Sequence, residues 1–184
     1  MLYIITPCYR QCNIPKIYNS INFDKIHKWI IVYDTSNDRK YEKLYENDEK
    51  IIEVECNDEG IYGNPQRNYG MIFADNGFIY FLDDDNIIHP NFWRIIDLLD
   101  DDSKFYTFDQ LRDIKNESIL HGNTIGVGTI DTAMFIIHTK SIKDTKWKIY
   151  EYAADGYFIC DILNNNIDSH EYINTVGCYY NFLQ

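Results

Sequence analysis

Short apolar runs alternate with longer polar stretches along the first hundred residues. The apolar runs predict four strands, at 2–6, 28–34, 50–56 and 77–83. The polar stretches between them carry the start signals of helices. Strands that alternate with helices are typical of βαβ units around a parallel sheet. The pattern therefore predicts an α/β fold with a mostly parallel central sheet and helices on both of its faces.

Prolines and short polar residues indicate where the helices begin. A proline is tolerated in the first turn of a helix because its missing N–H would have no partner there. Helices are expected to begin near Pro15, to follow Asn37 over 38–47, to follow Asn64-Pro65 over 65–75, and to run from Pro90 to about Leu99. The pair Asn76-Gly77 is expected to stop the third of these helices in the left-handed conformation.

The second half of the chain predicts a mixed sheet. Strands are expected at 104–108, 133–138 and 171–176, with a helix at 155–163. No stretch rich in Pro, Gly or Ser indicates a linker, and 184 residues are an ordinary size for one domain. We therefore expect a single α/β domain over 1–184.

Composition and charge narrow the possible functions. There are 17 Lys and Arg against 29 Asp and Glu, so the formal net charge is −12. Because that charge repels a phosphate backbone, nucleic acid is not expected as a partner. The five cysteines include no CxxC pair, and neither a basic leader nor an apolar run of about 18 residues is present. A cytoplasmic protein with reduced thiols and no intrinsic membrane segment is expected.

The sharpest chemical feature is a run of three aspartates after an apolar strand. The segment 78–82 is nearly all apolar and predicts a strand buried on both faces, and Asp83, Asp84 and Asp85 follow it. In open α/β sheets, ligands bind at this edge of the strands. In an extended chain Asp83 and Asp85 point to one side and Asp84 to the other. Two carboxylates on one side suit Mn²⁺ or Mg²⁺ carrying a diphosphate.

Two other segments have a functional and a structural interpretation. Arg67 lies in the first turn of a predicted helix, where a helix N-terminus with a nearby arginine forms an anion site. It could equally be a surface arginine on a well-capped helix. Asp34 follows the second strand and could accept hydrogen bonds from a base or a ribose hydroxyl, or could close a local Asx turn.

Four segments, in order, resemble motifs of the GT-A glycosyltransferases, in particular the large inverting family 2 that includes chitin and cellulose synthases. Ile4–Arg10 is similar to the first-strand segment that lines the nucleotide pocket, and Val32–Ser36 to the DxS turn. Asn64–Gly70 is similar to the ARNxG helix, and Phe81–Asp85 to the DXD motif. The resemblance covers nearly the whole chain. It implies one GT-A domain with a nucleotide-binding half, 1–100, and an acceptor-binding and catalytic half, 101–184.

The resemblance also implies ligand contacts for individual residues. Nine residues are expected to contact the nucleotide and its phosphates: Thr6, Pro7, Tyr9, Arg10, Asp34, Asn64, Arg67, Asp83 and Asp84. A Mn²⁺ or Mg²⁺ ion is expected on Asp85 and Asp83. His170 falls where many such enzymes have a late metal-binding histidine.

The catalytic base is less sharply defined by the resemblance. Inverting members carry an acidic pair before a late helix, and the second acid is the base. Asp155 falls at that position, while Ala154 replaces the first acid. Asp131 is the substitute candidate, and Asp155 could instead serve only as the cap of its helix. Trp147 either offers a flat face to an acceptor sugar or belongs to the core.

The function implied is transfer of a sugar from a nucleoside-diphosphate sugar, UDP-hexose first among them, to a hydroxyl acceptor with inversion. The acceptor could be a glycan, a protein or a small molecule, and its site is expected to be small, open or completed by a second subunit or partner protein. Two alternatives remain. One is a nucleotide-sugar-binding module without turnover, and the other is a sugar nucleotidyltransferase, which would need a glycine-rich loop where Thr6–Tyr9 stands.

Overall fold

The computed structural model describes residues 1–166 and 170–183, and within them the chain forms nine strands and five α-helices. The strands are β1 (Leu2–Cys8), β2 (Lys28–Asp34), β3 (Ile51–Cys56), β4 (Phe78–Phe81), β5 (Ile87–Ile88), β6 (Phe105–Asp113), β7 (Ser118–Leu120), β8 (Phe135–His138) and β9 (His170–Tyr179). The helices are α1 (Ile14–Tyr18), α2 (Asn64–Met71), α3 (Phe92–Ile96), α4 (Thr139–Ile142) and α5 (Ala154–Asn166).

All nine strands belong to one mixed sheet. Its order is β3-β2-β1-β4-β8-β6-β9-β5, with β7 added to β6. The first four strands in that order are parallel, whereas β8 is antiparallel to both β4 and β6. The chain moves from β1 outward to β2 and β3 and then returns to place β4 on the other side of β1. Their carboxyl ends therefore flank a crevice at a topological switch point, where ligands bind in folds of this kind.

The sheet carries a hydrophobic core on each face. Alternate residues of β1 enter opposite cores, because successive side chains of a strand point to opposite faces: Ile4 packs with α1 and α3, while Ile5 packs with α2 and α5. The two cores include the fully buried rings of Trp29 and Phe81 respectively. This arrangement confirms the α/β fold with helices on both faces and a mixed C-terminal part.

The segment 38–47 is not the helix that its polarity predicted. A short 3-10 turn covers Ser36–Asp38, and no helix follows it before β3. The buried carboxylate of Glu53 in β3 accepts hydrogen bonds from the backbone N–H groups of Leu44 (2.8 Å) and Tyr45 (2.7 Å). Because the Glu53 side chain of β3 binds these N–H groups, the segment lies against the edge of the sheet and does not form a helix.

Other boundaries also differ from the sequence prediction. Helix α2 ends at Met71, and Gly77 is not left-handed. Gly77 instead permits close chain approach, since a Cβ there would lie 2.6 Å from the carbonyl oxygen of Met1. Helix α3 stops at Ile96, and β6 extends to Asp113 because it pairs with the unpredicted strand β7. In the described part of the chain, no helix has the length and apolarity needed to cross a membrane.

Candidate active site

A cavity of about 720 Å³ opens at the carboxyl ends of β1, β2 and β4. The N-terminal ends of α2 and α5 form two of its walls. Most of the residues proposed from the sequence line it: Pro7, Tyr9, Arg10, Asp34, Asn64, Arg67, Asp83, Asp84, Asp85, Asp131 and Asp155. The fold thus brings segments from both halves of the chain to one site.

Asp84 is buried and joins the end of β4 to the loop after β1. Its Oδ2 accepts hydrogen bonds from the backbone N–H groups of Tyr9 (2.6 Å) and Arg10 (2.5 Å), and its Oδ1 accepts one from the Arg10 side chain. Its carbonyl oxygen accepts from Asn13 Nδ2 at 2.9 Å. The sequence assigned Asp84 to the nucleotide. In the structure its buried carboxylate is engaged by the protein, and its role is to position the loop that carries Tyr9 and Arg10.

Asp83 and Asp85 enter the cavity, and each has an arginine partner. Asp83 forms an ion pair with Arg67 Nη2, and Asp85 Oδ2 lies 3.1 Å from Arg10 Nη2. Burial and the nearby Asp83 carboxylate raise the pKa of Asp85 to about 6. The site therefore holds two neighbouring carboxylates whose mutual repulsion is only partly relieved, which is a condition that favours a cation.

Arg67 is fixed inside the protein and is not a surface residue. Gly63, left-handed at φ 76°, is the N-cap of α2, and the predicted cap Asn64 is the first helical residue. Arg67 Nη1 donates to the carbonyl oxygen of Tyr62 (2.7 Å) and to Asn64 Oδ1 (2.9 Å), and its guanidinium lies 4.7 Å above the Trp147 ring. These contacts leave the Arg67 side chain 4% exposed, with its guanidinium directed at Asp83. Arg67 is thus a rigid positive charge beside the aspartates.

Asp155 lies in the first turn of α5, where it is a helical residue and not the cap. Its Oδ1 accepts a hydrogen bond from the N–H of Gly156 at 2.7 Å. Gly156 is required because a Cβ there would lie 2.6 Å from Val127 Cα, so the glycine loop 126–128 packs directly on this turn. Burial raises the pKa of Asp155 to about 6, with a further contribution from Asp131. A half-buried, basic carboxylate therefore faces the cavity.

Asp131 lies nearby but is engaged by more donors. Its two oxygens accept from Gln110 Nε2 and Arg112 Nη2, each at 3.1 Å, and the side chain also caps the 3-10 turn at Ala133. Burial and then Asp83 raise the pKa of Asp131 above its ordinary value. Arg112 also stacks on Tyr180, at 4.4 Å, so this corner of the cavity is held together by its own contacts.

Asp34 lies at the far end of the cavity, where β2 ends. Its Oδ1 accepts from the N–H of Ser36 at 2.9 Å, which is the Asx turn considered from the sequence, and its Oδ2 lies 3.5 Å from Arg39 Nη1. The Arg39 guanidinium lies 3.6 Å above the exposed Tyr9 ring. An aromatic face, an arginine and a carboxylate acceptor thus meet at one end. Arg39 was missed because the sequence placed it inside a predicted helix.

Thr6 and His170 do not reach the cavity. Thr6 is fully buried, and its Oγ1 accepts from Trp29 Nε1 at 2.9 Å. His170 begins β9 beside Phe105, with Nε2 2.6 Å from Thr107 Oγ1, whereas the cavity lies beyond the other end of that strand at Tyr180. The structure therefore does not bring Thr6 or His170 together with the other predicted site residues, because the Thr6 side chain faces the core and His170 lies at the opposite end of β9 from the cavity.

The remaining donors can be compared with what a divalent cation needs. Among residues 1–166 and 170–183, no group of three or more His, Cys, Asp or Glu side chains is arranged to hold a metal. Asp83 and Asp85 remain as two adjacent carboxylates. Mg²⁺ is commonly bound by one or two carboxylates together with substrate phosphates and water. The donor set therefore fits a cation that arrives with a diphosphate, and does not form a complete cage by itself.

Solved structures share this architecture. No protein-family model and no curated protein matches the sequence. Residues 1–349 of S. aureus TarS match with a TM-score of 0.71 at 14% identity, over 97% of this chain and 59% of that chain. The chain therefore shares the fold of the TarS structures. The TarS structures in complex with UDP and with UDP-GlcNAc give TM-scores of 0.69 and 0.63, at 15% and 14% identity, and this chain spans 59% and 57% of their lengths.

Two tyrosines at the rim of the cavity were not identified from the sequence. Tyr62 and Tyr152 are both exposed, line the cavity, and meet edge to face with ring centroids 5.2 Å apart. Trp147, for which the sequence left open an acceptor platform or a core position, is a core residue stacked on Phe158 at 4.6 Å. The aromatic surface available at the rim therefore comes from these two tyrosines, which lie 90 residues apart in the sequence and belong to no common motif.

Proposed function

We propose that the protein is a nucleotide-sugar glycosyltransferase that transfers a sugar from a nucleoside diphosphate to a hydroxyl acceptor, with UDP as the first candidate nucleotide. The observation that carries the proposal is the convergence of Asp83, Asp85 and Asp155 in one cavity at the switch point of the sheet. The TarS structures of the same fold, in complex with UDP and UDP-GlcNAc, support it.

The nucleoside would bind at the Asp34 end of the cavity. There the ring of Tyr9 offers a stacking surface, and Asp34 Oδ2 offers an acceptor for a base N–H or a ribose hydroxyl. The diphosphate would then lie over Asp83 and Asp85. Arg67 Nη2 and Arg10, which reach these aspartates, are placed to donate to phosphate oxygens.

Asp83 and Asp85 are the residues that would hold Mn²⁺ or Mg²⁺. A cation bound there would neutralise charge that develops on the departing diphosphate. The protein's own contribution is to keep both carboxylates on one side of the chain after β4 and to engage Asp84 elsewhere. The metal requirement is part of the proposal.

Asp155 is proposed as the general base. A sugar hydroxyl is too weakly acidic to ionise unaided at neutral pH, so its proton must pass to an acceptor within hydrogen-bond reach as it attacks the anomeric carbon. Asp155 has one protein donor, at Gly156, whereas both oxygens of Asp131 are engaged by Gln110 and Arg112. With the base on one side of the sugar and the diphosphate on the other, the reaction would invert the anomeric centre.

Binding and release experiments separate this function from its alternatives. Thermal stability would be measured with UDP, GDP and CDP in the presence of Mn²⁺, and nucleotide release would be measured from a panel of nucleotide sugars. Stabilisation together with slow nucleotide release supports the transferase. Stabilisation without release favours a binding module, while consumption of a sugar phosphate and a nucleoside triphosphate favours a nucleotidyltransferase.

Asp85→Ala tests the metal assignment in the same assays. The substitution removes one of two proposed ligands, so we expect Mn²⁺-dependent stabilisation by the preferred nucleotide to be lost. Asp100→Ala is a matched control, because it removes an exposed aspartate outside the cavity. Equal Mn²⁺-dependent stabilisation of wild type and Asp85→Ala would show that Asp85 does not hold the cation.

A further inference from the structure

Asp83 and Asp85 differ in how firmly their arginine partners are held. Arg67, the partner of Asp83, is 4% exposed and is bound on its other side by Tyr62 and Asn64. Arg10 bridges two aspartates, with Nη2 on Asp85 and Nη1 on Asp84, and its side chain is 42% exposed. Arg67 is therefore a fixed charge, whereas the Arg10 guanidinium can leave Asp85 without opening the core.

The backbone at Arg10 does not depend on its side chain. Asp84 Oδ2 already accepts two backbone hydrogen bonds, from Tyr9 and Arg10, so Asp84 stays hydrogen-bonded to the loop when the guanidinium moves. The Cα of Arg10 remains beside the aspartates in either case. A released guanidinium would thus stay within one side-chain length of a diphosphate bound over Asp85.

The charges that line the cavity determine when the Arg10 guanidinium leaves Asp85. Six aspartates and four arginines line it. A divalent cation and the Arg10 guanidinium would repel each other at a shared carboxylate. With the cation alone, the displaced arginine gains no new partner, whereas with a diphosphate present it gains phosphate oxygens that it can bind in bidentate fashion.

We infer that Arg10 is a built-in competitor of the divalent cation for Asp85, so that the free protein binds the cation weakly and the cation and nucleoside diphosphate bind together. The inference rests on the proposed function, because it takes Asp83 and Asp85 as the cation site. It assigns Arg10 a positioning role in which the diphosphate replaces Asp85: Arg10 bridges Asp84 and Asp85 in the free protein and binds the diphosphate in the complex.

Mn²⁺ binding tests the inference without any activity measurement. Free Mn²⁺ would be followed by electron paramagnetic resonance during titration of wild type and Arg10→Gln, with and without UDP. Without UDP, we expect Arg10→Gln to bind Mn²⁺ about five-fold more tightly, as release of a partly exposed ion pair allows. The factor by which UDP strengthens Mn²⁺ binding should be smaller in Arg10→Gln than in wild type.

Two further variants separate competition from a general charge effect. Arg39→Gln removes the same charge from the same cavity, but Arg39 contacts Asp34 and Tyr9 and not Asp85, so without UDP its Mn²⁺ affinity should stay near that of wild type. Arg10→Lys keeps the charge but cannot bridge two carboxylates, and should fall between wild type and Arg10→Gln. Circular dichroism would verify that each variant is folded.

The outcomes are distinguishable from failure of the proposed function. Mn²⁺ affinity in Arg10→Gln equal to or weaker than in wild type overturns the competition, as does an equal gain in Arg39→Gln. If wild type binds Mn²⁺ with UDP while Arg10→Gln shows no gain, the cation site stands and only the role of Arg10 is wrong. If wild type binds no Mn²⁺ even with UDP, the cation site itself fails.

Discussion

At the scale of single residues, Asp85 and Asp155 are carboxylates that the fold makes more basic than usual. Burial is the main cause in both, and each pKa rises from 3.8 to about 6. A group that acts as a base is most effective when its pKa lies near the working pH. The same burial that costs stability therefore suits Asp155 to proton transfer.

Asp155→Asn should separate binding from catalysis. The amide cannot take a proton from the acceptor, so we expect transfer to fall by about 10² to 10⁴-fold, while UDP affinity with Mn²⁺ stays close to that of wild type. Transfer rate and UDP binding would be measured on the same preparations. Asp161→Asn, on the outer side of the same helix beside Lys148, is the control and should keep both. Transfer at the wild-type rate in Asp155→Asn would move the base elsewhere, with Asp131 next.

The same substitution should stabilise the fold at neutral pH. With a folded pKa near 6 and an unfolded pKa near 3.8, the folded protein binds the Asp155 proton more tightly, so stability falls as pH rises from about 4 to 6. Asparagine carries no charge at any pH and should raise the free energy of unfolding at pH 7.5 by at most about 3 kcal/mol. Urea denaturation at pH 7.5 and pH 4 would measure this. The gain should shrink at pH 4, and a variant less stable than wild type at pH 7.5 would contradict the expectation.

At the scale of elements, the distance between α2 and β1 determines where Arg67 lies. Gly70 faces the sheet, and a Cβ there would lie 2.5 Å from Ile5 Cγ2 and 3.1 Å from Val32 Cγ2. This close approach brings the first turn of α2, with Arg67, to the end of β4 at Asp83. The glycine is therefore needed for packing and not for backbone conformation.

Gly70→Ala distinguishes packing from helix propensity. Alanine favours an exposed helix by about 1 kcal/mol over glycine. Overpacking against Ile5 should outweigh that gain and destabilise the protein by about 1 to 2 kcal/mol. The midpoint of urea unfolding would measure the change. Gly126→Ala is the comparison, since a Cβ there would meet only Thr129 Oγ1, at 3.3 Å, and its loss of stability should be smaller than that of Gly70→Ala. A midpoint for Gly70→Ala at or above that of wild type would show that α2 can move away from the sheet.

At the scale of the whole molecule, the net charge of −12 and the aspartates of the cavity oppose an anionic ligand. The arginines in the cavity are mostly paired with those aspartates, so little positive charge is left for a diphosphate. Nucleotide binding should therefore depend on an added cation.

Metal removal should weaken diphosphate binding but not nucleoside binding. We expect the Kd for UDP to rise by at least about ten-fold when EDTA replaces Mn²⁺, because a charge-neutralising contact worth about 1.4 kcal/mol or more is lost. Uridine has no phosphate, and its weaker binding should be the same in both buffers. Isothermal titration calorimetry would measure all four cases. Equal UDP affinity in EDTA and Mn²⁺ would show that Arg10 and Arg67 suffice to bind the diphosphate.

Local patterns predicted much of the fold but not its irregular parts. The four parallel strands and helix α5 follow from apolar runs and helical periodicity, which are properties of neighbouring residues. The helix predicted over 38–47 does not form, because the carboxylate of Glu53, in strand β3, binds backbone N–H groups of that segment. His170 lies away from the cavity, which the sequence did not reveal because position next to a strand does not show which end of that strand reaches the site.

The sequence alone determined that carboxylates follow a buried strand at the edge where parallel strands end, since a short apolar run and its flanking residues encode both. Only the tertiary structure decided which of these carboxylates are left available to a ligand. Asp84 is engaged by Tyr9 and Arg10, 75 and 74 residues away in the chain, while Arg67 is buried against Trp147. Such contacts depend on the order of strands in the sheet and on the direction in which each side chain leaves its strand, and no local pattern carries that information.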